Sequence, residues 1–356
     1  MGLVAPASNG PSPRLAFQMP TRDGTIGQVA MMLADSHGTV LASDGVYEVR
    51  INCFASAENN HLFNEPAFFR LHSESSRDVY AQLVRIADKK VFATIAFYDV
   101  GDGVFSSPRR GTFGGLGLNH PLEMRRIEAF FLQIVKYLRA AGAAILQVKL
   151  APLSHNGAVE STIVNILLRN QWTLSGHELN CDLRVDSQPF IDRIDYGNAK
   201  RIRKCQRERI AATQLALSDL PEVYRVIAEN RTRRSYPMSM TLPQLQDMAR
   251  TFPSAVHLFG VHGSNNDSAL FAAAVCIALS PTVLYVFLWG DADGMATYSP
   301  IAPLASAIYE YCQREGFAIL DAGTSTVDGA PNYGLLHFKH GLGFSESLKL
   351  SFSRTL

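Results

Sequence analysis

The sequence has little cysteine and no cysteine pattern. Its five cysteines stand far apart and include no C-x-x-C pair: Cys53, Cys181, Cys205, Cys276 and Cys312. An odd, scattered set argues against a disulfide framework and against a structural zinc site. The histidines show no H-x-x-x-H or H-E-x-x-H spacing either, so nothing supports a metal centre. We expect the cysteines to act as small apolar core side chains in a reducing compartment.

Net charge and long apolar runs are also scarce. Lysine plus arginine (33) nearly balance aspartate plus glutamate (32), so the chain as a whole offers no electrostatic footprint for nucleic acid or an anionic membrane. The longest apolar run, residues 269–279, is too short for a bilayer and predicts a buried strand. Residues 1–24 are rich in Pro, Gly and Ser and lack the apolar segment of a signal peptide. We therefore expect a flexible N-terminal tail, no membrane span and a cytoplasmic protein.

A pattern of elements occurs twice along the 356 residues. Each copy reads as a strand, a loop, a helix and a second strand, over residues 111–118, 121–141 and 142–146, and again over residues 284–289, 300–315 and 316–320. The tract Gly-x-Ala-Ile-Leu recurs after both helices, where Gly142 and Gly316 suit the left-handed position that follows a helix. In the first helix, apolar residues recur with the 3.6-residue period of an amphipathic helix.

The surrounding sequence extends this repeat. Hairpin-like strands precede each copy, near residues 79–98 and 255–279, and a further helix and strand follow each copy, with the helices near residues 158–169 and 333–340. This order predicts an α+β fold of two similar domains, residues 25–190 and 191–356, after the tail of residues 1–24. The alternative is two unrelated domains that share a common strand-helix-strand pattern.

The last part of the chain carries a more specific motif. It reads Asp321-Ala-Gly-Thr-Ser325, then Asn332-Tyr333, then Phe338-Lys339, with Gly343 four residues further on. This resembles the closing motif of the FemAB-like transferases, bacterial proteins of cell-envelope and polysaccharide biogenesis built from tandem GNAT-like domains. The resemblance is specific over roughly the last forty residues. It implies two GNAT-like domains, each a mixed, mostly antiparallel sheet flanked by helices, and acyltransferase activity.

The resemblance also assigns roles to residues of this motif. It places Lys339 in the substrate or transition-state pocket, where a cation would stabilise the oxyanion of a tetrahedral intermediate or neutralise a phosphate; the alternative is a lysine at the surface. Asp321, at the end of a buried strand, would orient or deprotonate the attacking amine, and the alternative is an Asx turn with Gly323. Ser325, Asn332 and Tyr333 are candidate substrate-binding residues.

A second candidate binding segment is the run Arg231-x-Arg233-Arg234-Ser-Tyr236. Guanidinium groups suit a diphosphate and an aromatic ring suits a base or sugar, so these four residues would hold a nucleotide-linked acceptor or an amino sugar. The alternative is a solvated loop. The basic stretch of residues 200–209 could face an RNA backbone, such as that of tRNA, or a phosphate, although charged helix faces are more often simply solvated.

The acyl donor stays open at this level. Neither copy has the Gln/Arg-x-x-Gly-x-Gly/Ala loop with which GNAT proteins hold the CoA pyrophosphate, so the cofactor-binding residues are unknown. We expect no permanently bound cofactor and either acyl-CoA or aminoacyl-tRNA as donor substrate. The leading hypothesis is an acyl- or aminoacyltransferase acting on an amine of a cell-envelope precursor or amino sugar. The alternatives are a CoA-dependent N-acyltransferase with a divergent loop and a non-catalytic module that binds nucleotide sugars or glycans; the oligomeric state is unknown.

Overall fold

The computed structural model describes residues 38–356, except residues 56, 58–60 and 264–268. The expected tail of residues 1–24 and most of the turn at residues 263–267 therefore lie outside the described residues. The first half of the described chain contains three helices and eight strands. They are β1 (Thr39–Ser43), β2 (Tyr47–Ile51), α1 (Pro66–His72), β3 (Val79–Arg85), β4 (Val91–Asp99), β5 (Val104–Ser107), β6 (Gly117–Leu118), α2 (Met124–Ala140), β7 (Ile145–Lys149), α3 (Gly157–Arg169) and β8 (Thr173–Arg184).

The second half of the described chain continues from β8 through short 3₁₀ turns and helices into its own strands. Its elements are α4 (Tyr196–Arg207), β9 (Ala211–Leu215), α5 (Leu220–Arg233), α6 (Leu242–Thr251), β10 (Val256–His262), β11 (Leu270–Ser280), β12 (Val283–Asp291), α7 (Ile301–Glu315), β13 (Ile319–Thr324), β14 (Thr326–Val327), β15 (Ala330–Pro331), α8 (Tyr333–Gly341) and β16 (Ser345–Thr355). The stretch of residues 200–209 lies largely in α4, most of whose basic side chains are exposed.

The predicted order of elements appears in both halves of the described chain. The series β12, α7, β13, α8 and β16 corresponds to the series β5, α2, β7, α3 and β8. Gly142 and Gly316 have positive φ angles of 86° and 83°, as the helix ends require. This order, with its mixed and mostly antiparallel sheet, is the predicted α+β arrangement. The boundary between residues 190 and 191 stays a prediction.

One predicted strand is wrong. Residues 111–118 form a loop that ends in the short strand β6, and the strand that runs parallel to β7 is β5. Gly111 and Gly115 have φ angles of 99° and 81°, which extended chain does not adopt. The glycines that suggested a repeat therefore serve a turn.

The strands of both halves join in one sheet of 14 strands across the described residues. The order is β1-β2-β3-β4-β5-β7-β16-β8-β13-β12-β11-β10-β9, with β6 beside β4. The last strand of each half is exchanged: β16 pairs with β7 of the first half, and β8 pairs with β13 of the second half. The two exchanged strands also pair with each other over most of their length.

The exchange carries core side chains from each half into the other. Phe352 of β16 is 1% exposed and packs in the first-half core, together with Phe131 and Trp172. Cys181 and Leu183 of β8 pack in the core between the second-half sheet and helices α4, α7 and α8. All five cysteines are buried, as the sequence predicts for small apolar core side chains. Among the described helices, none is long and apolar enough to cross a bilayer.

Candidate functional site

The parallel strands β12 and β13 separate at Asp321. They pair only from Val283 with Ile319 to Tyr285 with Asp321, although β12 continues to Asp291. On its other edge β13 pairs with β8, from Ile319 with Arg184 to Thr324 with Asn180. In open α/β sheets, ligands favour the carboxyl ends of parallel strands where neighbours diverge. Asp321 therefore lies where a fold of this kind has room for chemistry.

The carboxylate of Asp321 is fully buried and bonded on both oxygens. Its Oδ1 accepts hydrogen bonds from the Gly323 N–H at 2.7 Å and from the Asn180 side-chain amide at 2.8 Å. The bond from Gly323 is the Asx turn named above as the alternative, and Gly323 has a positive φ of 74°. Its Oδ2 lies 2.8 Å from Nε2 of His155. Both oxygens of Asp321 thus have partners within the protein, and the only titratable one of these three is His155.

The histidine comes from the first half of the chain. His155 follows β7 and directly precedes Asn156, which caps α3, while Asp321 in β13 precedes Asn332, which caps α8. The loop after β7 therefore meets β13, the equivalent strand of the second half, at this site. The His155 side chain is 6% exposed. The sequence analysis missed His155 because no local motif surrounds it; its position after the repeated strand was the available signal.

The pKa values of two neighbouring carboxyl groups, Asp321 and Asp182, shift in opposite directions. Burial by itself would raise the pKa of Asp321, but the hydrogen bond and charge of His155, with the Gly323 and Asn180 bonds, hold it below its usual value. Asp182 lies opposite Asp321 in the pairing of β8 with β13. Burial raises the pKa of Asp182, and the charge of Asp321 adds to this rise. Asp321 is thus the carboxylate that stays ionised.

Lys339 reaches the same turn from the other face of the sheet. It lies in α8, is 1% exposed, and its Nζ donates to the carbonyls of Gly323 at 2.8 Å and Thr324 at 3.1 Å. Burial lowers its pKa to about 8. Leu320 packs with the α8 core, whereas Ile319 packs in the core with α5, and side chains alternate along a strand. Asp321 therefore lies on the face opposite α8, and Lys339 meets it through the Gly323 peptide.

A second buried lysine was not anticipated. Lys349 of β16 is 9% exposed, and burial lowers its pKa to about 8 while the charge of Asp321 acts in the opposite direction. It lies on the same strand face as Ser347, which donates to Asp182 at 3.1 Å. Among the described residues its ammonium has no hydrogen bond or ion pair. Lys349 is therefore an uncommitted cation on the Asp321 face of the sheet.

The other residues of the closing motif divide into buried and exposed. Ser325 is 1% exposed, and its Oγ lies 3.2 Å from Sγ of Cys181. Asn332 caps α8 by accepting from the Leu335 N–H, and its amide donates to the Tyr236 hydroxyl at 3.2 Å. Tyr333 is 77% exposed. The structure therefore brings Tyr236 to Asn332, beside the exposed ring of Tyr333.

The three arginines at the C-terminal end of α5 all have partners within the protein. Arg233 bonds the Asp293 carboxylate at 2.7 Å and the Asp291 carbonyl at 2.6 Å, and Arg234 lies 3.7 Å from the Asp291 carboxylate. Arg231 is half-buried and donates to the Pro237 carbonyl at 3.0 Å, and burial lowers its pKa. A diphosphate would have to displace two carboxylates from Arg233 and Arg234. Arg231, whose buried Nε has no partner within the described region, is the least committed.

The segment that holds CoA in GNAT proteins has a different form here. Between β12 and α7 the chain makes a 3₁₀ turn at Met295–Thr297, and no side chain caps the first turn of α7, which follows Pro300. No group of three or more His, Cys, Asp or Glu side chains in the described part of the chain could hold a metal ion.

Comparison with known proteins gives the fold a name. No protein-family model and no curated protein sequence matches the chain. Among solved structures, FemX superposes with a TM-score of 0.62 at 12% identity, over 85% of this chain and 94% of FemX. The chain has the FemX fold. L-PGS from Bacillus licheniformis (TM-score 0.50, 12% identity, 75% of this chain and 82% of that chain) is also similar.

A conserved protein of unknown function from Bacteroides thetaiotaomicron is similar as well, with a TM-score of 0.51 at 9% identity, over 82% of this chain and 88% of that chain. The FemX fold confirms the predicted α+β fold class. At these identities the similarity extends to the fold and leaves the chemistry to the residues of the site.

Proposed function

We propose that this protein is an acyl- or aminoacyltransferase that moves an acyl group to an amine of a cell-envelope precursor or amino sugar, in the cytoplasm. The observation that carries the proposal is the buried His155–Asp321 pair at the point where β12 and β13 separate. The FemX fold supports it. A histidine backed by an ionised carboxylate is a standard proton acceptor, and acyl transfer to an amine needs one.

The proposed reaction is direct attack without a covalent enzyme intermediate. The amine nitrogen forms a bond to the carbonyl carbon of the donor and loses one proton to Nδ1 of His155. The tetrahedral intermediate then breaks the bond to the CoA sulfur or to the tRNA ribose oxygen. That leaving group departs with the electron pair and takes up a proton, so the products are an amide and free CoA or tRNA.

The surrounding residues have distinct proposed roles. Asp321 fixes the ring of His155 and stabilises the imidazolium that forms. Lys339 is a positioning residue, because its two bonds to the Gly323 and Thr324 carbonyls hold the turn that bonds Asp321. Lys349 would meet an anionic part of a substrate on the Asp321 face.

For the acceptor, we propose a nucleotide-linked or amino-sugar group held at Tyr236, Asn332 and Tyr333. The Tyr236 ring is 45% exposed and the Tyr333 ring 77%, and exposed rings of this kind suit a base or sugar face. Arg231 would contribute a guanidinium donor. Because Arg233 and Arg234 are already paired with Asp291, their proposed contribution is to shape the loop or to bind phosphate after these pairs break.

The test is a transfer assay read by mass spectrometry. Purified protein is incubated with acetyl-CoA, longer acyl-CoAs or aminoacyl-tRNA, each with a panel of UDP-amino sugars and UDP-linked peptides. The proposal expects a product whose mass equals acceptor plus acyl group, formed by wild type and by the control His337→Phe, but not by His155→Ala.

Which donor supports transfer decides between acyl-CoA and aminoacyl-tRNA. A thermal-shift panel with the same ligands runs in parallel, because ligands that bind the native state raise its melting temperature. Stabilisation by nucleotide sugars without transfer from any donor would contradict the enzyme and favour a binding module.

A further inference from the structure

Two buried histidine nitrogens beside the His155–Asp321 pair have no hydrogen-bond partner among the described residues. They are Nδ1 of His155 and Nε2 of His61, which precedes the 3₁₀ turn Leu62–Asn64. A buried polar atom without a partner destabilises the folded state, because it has lost its hydrogen bonds to water. Two such atoms on neighbouring rings indicate a place built for a polar group that the protein itself does not supply.

The partners of the other two nitrogens determine where the protons lie. Nδ1 of His61 accepts from the Phe63 N–H at 3.4 Å, so neutral His61 carries its proton on Nε2. In the neutral form of His155, Nε2 faces the ionised Asp321 and donates to it, which leaves a lone pair on Nδ1. Burial, and secondarily the charge of His155, hold the pKa of His61 well below its ordinary value. The place thus offers one neutral N–H donor and one acceptor.

The two rings lie close enough together for one reacting carbon to be reached from both. The His61 and His155 rings are nearly parallel, with an interplanar angle of 14° and centroids 6.3 Å apart. The edge-on ring of Phe113 borders both, at 4.6 Å from His61 and 5.5 Å from His155. Hydrogen bonds of about 2.9 Å to two atoms of one tetrahedral centre span nitrogens up to about 8 Å apart. The spacing of the rings is compatible with that span.

We infer that His61 is a catalytic residue: its Nε2–H donates to the carbonyl oxygen of the donor as this oxygen becomes an oxyanion, while His155 takes the proton of the attacking amine. The inference rests on the proposed acyl transfer. A neutral imidazole suits this task because it donates without exchanging its proton, and the surrounding burial strengthens the bond to a developing charge.

This assignment also explains the state of the two lysines. Lys339 donates two hydrogen bonds to the backbone carbonyls of the turn at Gly323, and it reaches this turn from the face opposite Asp321. The oxyanion therefore needs a donor from the Asp321 face, where His61 lies next to His155. Lys349 of β16 lies on that face too, and its proposed role is to meet an anionic part of the substrate.

The first experiment compares His61→Phe with His61→Gln in the transfer assay, using whichever donor and acceptor wild type joins. His61→Phe keeps an aromatic ring beside Phe63 and Phe113 but removes the donor, so we expect kcat to fall about 10²–10³-fold with both KM values nearly unchanged. His61→Gln restores an N–H and should recover at least part of kcat. His337→Phe, at an exposed histidine, is the control.

The second experiment needs no substrate. Long-range ¹H–¹⁵N spectra of the histidine-labelled full chain report which nitrogen of each ring carries a proton, and the inference expects Nε2 for both His61 and His155. A proton on Nδ1 of His61, or an unchanged kcat in His61→Phe, overturns the inference even if wild type transfers acyl groups. Absence of transfer by wild type overturns the proposed function itself.

Discussion

Nε2 of His155 lies 2.8 Å from Oδ2 of Asp321, although the two residues are 166 positions apart in the chain. One comes from the loop after β7 and the other from the end of β13, which are equivalent strands of the two halves. Exchange of β8 and β16 brings these strand ends into one sheet. The candidate site therefore belongs to both copies of the repeat, and neither copy contains it alone.

Replacing Asp321 by Asn removes the negative charge while the side chain keeps nearly the same shape. The amide is nearly isosteric, but its nitrogen cannot accept from Nε2 of His155, so the ring is expected to change tautomer and lose Nδ1 as proton acceptor. We expect turnover to fall by about 10²–10⁴-fold while the fold is kept. Kinetics and circular dichroism check this. Asp328→Asn, at an exposed aspartate, is the control, and equal turnover in both variants would exclude Asp321 from the mechanism.

Lys339→Met tests the positioning role. Loss of both bonds leaves the Gly323 and Thr324 carbonyls without their donor, and this should cost about 1–3 kcal/mol of unfolding free energy, partly offset by removal of a buried charge. The turn that bonds Asp321 should loosen, so turnover should fall as well. Denaturant melts and kinetics measure both effects. Normal turnover with unchanged stability would contradict the role, and Lys349→Met provides the comparison with the second buried lysine.

The exchanged strand makes a prediction about stability. Phe352 belongs to the last strand of the chain but packs in the first-half core, so Phe352→Ala should destabilise the protein by about 3–5 kcal/mol. Amide hydrogen exchange should show the loss of protection in α2 and β7. Leu348→Ala, at a 43% exposed position of the same strand, should have little effect. Loss of protection confined to the second half would contradict the exchange.

A buried glutamate predicts a pH dependence. Glu160 of α3 has one oxygen without a partner in the described structure, and burial raises its pKa to about 8. Because the native state then binds more protons than the unfolded state between about pH 4.5 and 8, stability should fall as pH rises through this range. Glu160→Gln should remove this fall and be more stable at pH 8–9, by on the order of 3 kcal/mol.

Urea melts from pH 5 to 9 measure the effect. Glu123→Gln, at an exposed position before α2, is the control and should follow wild type. A parallel pH profile in wild type and Glu160→Gln would show that the Glu160 carboxyl does not titrate in this range.

The sequence predicts those helices and strands whose residues follow a local pattern. The apolar stripe of α2 and the glycines after α2 and α7 give both helices to within a few residues, because helix periodicity and left-handed helix ends are local properties. Asp321 was located because it ends an apolar strand within a specific motif. The α+β fold followed from the order of these elements.

Long-range pairing is what the sequence does not reveal. The exchange of β8 and β16 depends on contacts between distant segments, and so do the meeting of His155 with Asp321 and the approach of His61. The pairing of Arg233 and Arg234 with Asp291 likewise arises from a loop packed against a strand end. Residues 111–118 form a loop because Gly111 and Gly115 adopt positive φ angles, which the sequence alone does not reveal.

The most direct test of the central claim is chemical rescue of His155→Gly. Removal of the ring leaves a cavity beside Asp321, and added imidazole can occupy it. We expect the variant to lose at least about 10²-fold in transfer rate and to recover part of it as imidazole is added, with recovery that follows the unprotonated fraction of imidazole. Full transfer by His155→Gly without imidazole would contradict a proton acceptor at this position.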